Sequence, residues 1–242
     1  MFRYLLILWL FLFSCTGFAK NYAHIDAKAE DAPSMVSEEN FDELVNKLVG
    51  NYSKDEDKAR AILAWIVKNI DYDDYRFKKL TYARKHPYSI RDYSVPASDI
   101  LKVHLGVCAD IAKLYVRMAQ RAGLTARVVE GYAGFKLTKS NYENERHAWV
   151  IVTIDGKEEF IDPTWAGVEN GTDKIRSNTA YRKELERREK KKFKPQKNRS
   201  VNNYFFLTKP QVMIKTHFPD KQEDQLLTHP VSLSIFLIRS NR

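Results

Sequence analysis

The chain has 242 residues, 44% of them hydrophobic and 12% aromatic, with a formal charge of +9. That length and apolar content suit one domain with a sizeable core and exclude a disordered or low-complexity chain. Nine glycines, none clustered as a phosphate-binding loop, exclude a P-loop enzyme, and six scattered histidines show no ligand spacing, so neither metal nor cofactor is expected.

Residues 1–19 read as a signal peptide. Arg3 is a minimal positive start, and Tyr4 to Phe13 is an apolar run too short to span a bilayer as a mature helix. Gly17-Phe18-Ala19 offers small residues for cleavage. A competing route is the lipoprotein-type box Leu12-Phe13-Ser14-Cys15, which would leave a lipid anchor on Cys15. Both routes predict an exported protein, periplasmic or secreted. Residues 20–35, polar and alanine-rich, read as a linker, and 36–242 as the folded domain.

Ser37 is a candidate cap for a helix that puts Phe41, Leu44, Val45 and Leu48 on one face. Ser53-Lys54-Asp55-Glu56 has the form of a capping box. It would open a second helix with the stripe Ala59, Ile62, Leu63, Ile66, Val67 and Ile70, in which Trp65 packs. Asp71 to Asp99 is rich in tyrosine and charge and reads as a long irregular segment with short helical pieces. A loop of this kind beside a site can line a substrate groove.

A helical period then runs from Cys108 through Ile111, Tyr115, Met118 and Ala122, with Ala112 and Ala119 alongside, and stops at Gly123. Gly106 permits a tight turn into it. Cys108 therefore sits in the first turn, where unpaired N–H groups and the helix dipole favour a thiolate. Thr125 to Tyr132 reads as a strand, with Gly131 and Gly134 marking its end or a bulge. Two more strands, around Arg146–Ile154 and Glu159–Asp162, flank Asp155-Gly156, a strong two-residue hairpin signal. If Ile154 pairs with Lys157, His147 and Asp162 become diagonal neighbours on one face, about 7 Å apart at Cβ. Turn chemistry alone thus predicts a His–Asp contact. Trp149 shares that face as a possible cover, whereas Trp165 is expected to pack. A helix followed by antiparallel strands is an α+β arrangement.

Arg182 to Lys194 carries eight basic and three acidic residues. It forms the centre of a basic insert, about 173–200. The bland account is a solvated helix with i,i+4 pairs; the sharper one is attraction to an anionic surface or acidic polymer. Nucleic acid is not an expected partner, because the run lacks interleaved aromatics. Apolar runs at Tyr204–Leu207 and Val231–Ile238 are expected to complete the sheet, and His217 and His229 to be structural.

Cys15 lies in the targeting segment, so Cys108 is the only thiol left in the folded part, and no intramolecular disulfide can form. A lone thiol is ordinarily a small buried hydrophobe. Three motifs change that expectation: GVCADIAKLYVRMAQRAGLTARVVEGYAG at Gly106–Gly134, HAW at His147 and DPTW at Asp162. In this order they resemble the transglutaminase-like superfamily of papain-type cysteine enzymes. Ala64–Asp73 upstream, and Thr216-His217-Phe218-Pro219 with Gln225-Leu226-Leu227 downstream, resemble its branch of kyphoscoliosis-type peptidases. The resemblance implies a papain/transglutaminase-like core, with the cysteine at a helix N-terminus packed on an antiparallel sheet. It also implies Cys108 as nucleophile, His147 as base and acid, and Asp162 as the residue orienting the imidazole. Family members complete the oxyanion hole with an upstream side chain, often Trp or Gln. No clear match occurs here, and Tyr72 is the nearest candidate.

The expected activity is acyl transfer on a peptide or protein substrate, with the cell envelope as a candidate source. Hydrolysis is favoured over amine transfer, because one small domain has no module to position a second protein and no calcium loop of the D-x-[DN]-x-[DN]-G type. The alternatives are a cross-linking transglutaminase and a non-catalytic binding module on the same fold.

Overall fold

The computed structural model describes residues 20–33, 37–85, 100–101, 104–167 and 199–240. The signal peptide expected at 1–19 and nearly all of the basic insert at 173–200 lie outside the described residues. In chain order the elements are α1 (Ala23–Glu30), α2 (Phe41–Val49), α3 (Asp55–Asn69), β1 (Asp71–Tyr72), α4 (Asp74–Lys85), β2 (Leu105–Gly106) and α5 (Cys108–Arg121). Then follow β3 (Ala126–Ala133), β4 (Arg146–Ile154), β5 (Lys157–Ile161), β6 (Phe206–Thr208), α6 (Pro210–Met213), β7 (His217–Pro219) and α7 (Leu233–Arg239).

Five strands form an antiparallel sheet in the order β6-β5-β4-β3-β7, and β1 pairs with β2 in parallel. The architecture is α+β, as expected. Strand β4 is buried on both faces, which explains its nearly unbroken apolar run. Ala148, Val150 and Val152 face the main core with Ile111, Ala112, Tyr115 and Met118 of α5. Trp149 and Ile151 face a second cluster with Val129, Phe160 and Met213. The hairpin forms in the expected register, Ile154 opposite Lys157 through Val150 opposite Ile161. Asp155 and Gly156 both take positive φ, 49° and 78°, as that turn requires.

Several expectations need correction. Within the expected linker at 20–35, residues 20–33 are described and do not form a simple linker. They carry α1, which docks on α3 because Ile25 and Ala29 bury against the core side and Asp26 meets Arg60. Ser37 is not a cap: α2 starts after Asn40, whose Oδ1 accepts from the Ser37 N–H at 3.1 Å. The capping box at Ser53 does not form either. Lys54 is the N-cap, and the Glu56 carboxylate is taken by Lys20 and Tyr22 of the docked N-terminal segment. The 71–99 segment begins with β1 and the 12-residue α4 before leaving the described residues at 86. Val231–Ile238 gives no strand. Ser232 Oγ accepts from the Ile235 N–H and opens α7, which buries Phe236 and Leu237. The far sheet edge is instead β7. Gly131 lies inside β3, where a Cβ would stand 2.1 Å from the Phe218 carbonyl oxygen, so β7 approaches as closely as it does only because that residue is glycine.

Candidate active site

Cys108 is the first residue of α5, buried at 6% exposure. Several contacts fix the turn before it. Tyr72 pairs with Gly106 across β1 and β2, and the Asp73 N–H donates to the Gly106 carbonyl at 3.0 Å. Asp110, at the third helical position, accepts from the Val107 N–H at 3.0 Å. That is the carboxylate half of a capping box. The same buried carboxylate is ion-paired with Arg76 of α4, which supplies the counter-charge it needs away from water. A Cβ at Gly106 would lie 3.1 Å from the Asp110 Cβ, a tight contact that would press on that carboxylate side chain.

His147 is the second residue of β4, and Asp162 follows directly on β5. The expected His–Asp contact forms: His147 Nε2 lies 2.7 Å from Asp162 Oδ2. The ladder ends at Ile161, however, so the contact is made from the turn beyond it. Pro163 has no N–H with which to continue the pairing. Instead Asp162 Oδ1 accepts from the Thr164 and Trp165 N–H groups at 2.9 and 3.0 Å, and the Asp162 carbonyl accepts from Ala166 at 2.9 Å. Cys108 lies near enough to the imidazole to favour its charged form. With Nε2 given to Asp162, Nδ1 is the nitrogen left for sulfur. All three expected residues are thus brought together.

The electrostatics follow from these contacts. Burial works against a charge on His147, but the Asp162 carboxylate and then Cys108 outweigh it and push the imidazole up to about 10. Burial also opposes charge on Asp162, yet His147 and His217 hold its carboxyl far below the usual carboxylate range. The imidazolium form of His147 is therefore the resting form beside an ionised Asp162. His147, Asp162 and His217 offer ligand atoms within 4.8 Å of one another. Their pairwise contacts of 2.7 and 3.0 Å are N–H···O hydrogen bonds, closer than donors spread round an ion at about 2.0–2.2 Å would stand.

Trp165 packs against the main core, as expected, whereas Trp149 is a buried residue and not an outer cover. Trp149 is fully buried beneath His147, its ring 6.2 Å from the imidazole. The Trp165 ring is 5.3 Å from His147 and stacks at 5.3 Å on Phe135, which is 51% exposed. Tyr72 sits beside the cysteine turn, with its ring 6.0 Å from Phe77. His217, expected to be structural, bonds the second side of Asp162. No local pattern could reveal this, because 55 residues separate the two; the Thr216–Pro219 segment was the only pointer.

A thiol at a helix start, an imidazole on the adjoining sheet and a carboxylate behind it make up the candidate site. The family model of the transglutaminase-like superfamily matches residues 42–169, more than half of the chain, and the chain belongs to that superfamily. The kyphoscoliosis peptidase of Homo sapiens is 28% identical over 208 residues, covering 85% of this chain and 27% of that protein. Hillarin of Drosophila melanogaster is 28% identical over 213 residues, covering 81% of this chain and 22% of its own length. The chain thus spans about a quarter of the curated relatives it matches. Among solved structures, a putative cysteine protease from Cytophaga hutchinsonii is similar at TM-score 0.40 and 23% identity, covering 59% of this chain and 42% of that one. The periplasmic domain of TgpA from Pseudomonas aeruginosa is similar at TM-score 0.40 and 19% identity, covering 59% and 47%. No helix among the described residues is long and apolar enough to cross a membrane.

Proposed function

We propose that the chain is an exported cysteine-dependent acyl-transfer enzyme that hydrolyses peptide or amide bonds. In this proposal Cys108 is the nucleophile, His147 the acid and base, and Asp162 the group that orients the imidazole. The observation that carries it is Cys108 at a helix tip beside His147, whose Nε2 lies 2.7 Å from Asp162 Oδ2.

The Cys108 thiolate attacks the substrate carbonyl carbon, and the displaced electron pair moves onto oxygen. As the first helical residue, Cys108 has an N–H with no acceptor inside the helix, which makes it an oxyanion donor. The tetrahedral species collapses as the His147 imidazolium passes its proton to the leaving amine. A thioester remains. His147 then takes a proton from water, the hydroxide attacks the thioester, and the thiolate leaves with the acid product. Throughout, Asp162 keeps Nε2–H pointed at itself and Nδ1 at sulfur.

The peptidase name carried by the human relative supports hydrolysis. The apolar run of residues 4–13 supports export, and the basic 173–200 stretch supports an acidic surface or envelope polymer as partner. A thiol-reactive acyl probe should label wild type at Cys108 and label His147→Ala far more slowly. Equal labelling of both would reduce Cys108 to an exposed thiol and end the proposal. A glutamine peptide incubated with a primary amine then separates the outcomes by mass: deamidation or cleavage marks hydrolysis, and an amine adduct marks transfer.

A further inference from the structure

We propose that His217 is a positioning residue of this site: from β7 it donates Nε2–H to the same Asp162 oxygen that His147 uses, and so holds the carboxylate in line with His147. The inference rests on the triad reading of Cys108, His147 and Asp162 and extends it to a second histidine.

The geometry of His217 leaves one consistent protonation state. Its Nε2 lies 3.0 Å from Asp162 Oδ2. A bare nitrogen lone pair cannot face an ionised carboxylate oxygen at that distance, so Nε2 carries the proton and donates. Its Nδ1 lies 2.8 Å from Thr216 Oγ1. That hydroxyl has one proton, and its other acceptor, the Met213 carbonyl, is 3.5 Å away, so the proton goes to Nδ1. Thr216 thereby fixes the tautomer, and His217 is neutral with both nitrogens satisfied.

The surroundings keep it so. The His217 side chain has no exposed surface. Trp165, Trp149 and Phe205 meet its ring at 4.7, 5.1 and 6.1 Å. The charged groups facing it are Asp162 and His147, and its pKa is pushed down to about 4, first by burial and further by the neighbouring imidazolium. A site that needed only a space-filler would not use a second imidazole with two directed bonds. Asp162 now has four donors: two backbone N–H groups on Oδ1 and two imidazole N–H groups on Oδ2. A carboxylate has about four lone-pair sites, so none is left to take up a proton or to turn away from His147.

The test needs no natural substrate. The rate of Cys108 alkylation by iodoacetamide is followed against pH on the full chain, read by mass on the Cys108 peptide so that Cys15 does not interfere. His217→Leu should move the acid limb upward by about one pH unit, which is roughly a tenfold slower rate on that limb. His217→Gln, which keeps an N–H donor near the Nε2 position, should restore most of it. Thr216→Val, which frees the tautomer, should shift the limb the same way by less. A folded His217→Leu protein whose profile superimposes on wild type overturns the inference. If His217→Leu does not fold, an unchanged profile for Thr216→Val overturns it instead. The triad reading fails separately: then His147→Ala itself leaves the profile unchanged.

Discussion

Asp162 meets four donors from a position with no exposed surface, and the charge on it decides which nitrogen of His147 carries a proton. Asp162→Asn tests this directly. The carboxamide oxygen can still accept from the Thr164 and Trp165 N–H groups, as Oδ1 does at 2.9 and 3.0 Å. Its NH2 group must then face two imidazole N–H donors. His147 escapes by moving its proton to Nδ1, the nitrogen meant for sulfur. In the proposed mechanism that is the wrong tautomer, and kcat should fall by about 10²–10⁴ with little change in KM. The pH profile should move as well. His147 is pushed up to about 10 and, once burial is overcome, Asp162 is the larger of its two supports. A raised pKa keeps the imidazolium below that value and loses it above. Wild-type kcat/KM should therefore decline on an alkaline limb near pH 10, and in Asp162→Asn that limb should shift to lower pH. An alkaline limb at the same pH in both proteins would remove His147 as its source.

The elements carry these side chains with unequal legibility. Cys108 and the His147–Asp162 contact could be read ahead of the structure because each depends on short-range chemistry: a glycine turn into an amphipathic helix, and a two-residue turn that sets a register. β7 could not be read. It is three residues long, contains Pro219, and exists because Gly131 on β3 lets its backbone approach. Short edge strands lack the alternation that reveals a longer one. α7 reads as a strand for a related reason: seven residues of mostly branched apolar character fit one, and only the Ser232 cap turns them into a helix. The same glycine yields an element-scale prediction. In Gly131→Ala the new methyl meets the Phe218 carbonyl at 2.1 Å and the Pro219 Cα at 2.7 Å, both backbone atoms that cannot rotate away. β7 must separate from β3, at a cost of about 1–3 kcal/mol or more in urea unfolding. His217 leaves Asp162 with it, so the Gly131→Ala alkylation profile should resemble that of His217→Leu. A wild-type profile in a destabilised Gly131→Ala protein would mean that β7 can shift without moving His217.

Across the whole molecule, the N-terminal segment and the C-terminal sheet edge meet on one buried cation. Arg60, at the centre of α3 and 1% exposed, donates from Nε and Nη2 to Asp26 at 2.7 and 2.6 Å, and from Nη1 to Asn203 at 2.7 Å. Its guanidinium also lies over the rings of Tyr22 at 4.6 Å and Phe206 at 5.1 Å. A planar fork that pairs with a carboxylate and stacks on aromatics is something lysine cannot imitate. The arrangement explains why 20–33 reads as a linker by composition yet is a docked helix. The buried apolar residues of α1 are only Ile25 and Ala29, and the remaining attachments are polar and distant in sequence: Asp26 to Arg60, Lys20 and Tyr22 to Glu56, and the Pro33 carbonyl to Trp65. The two halves of the pair should differ when removed. Asp26→Ala leaves a guanidinium buried without its counter-charge, at a cost of about 3–5 kcal/mol. Arg60→Met removes the cation and keeps an apolar stem in its place, leaving Asp26, whose side chain is 30% exposed, to be hydrated; its cost should be clearly smaller. Urea denaturation of both variants measures the order. A larger loss for Arg60→Met would show that the contacts with Tyr22, Phe206 and Asn203, rather than the ion pair, fasten the N-terminal helix to the sheet edge.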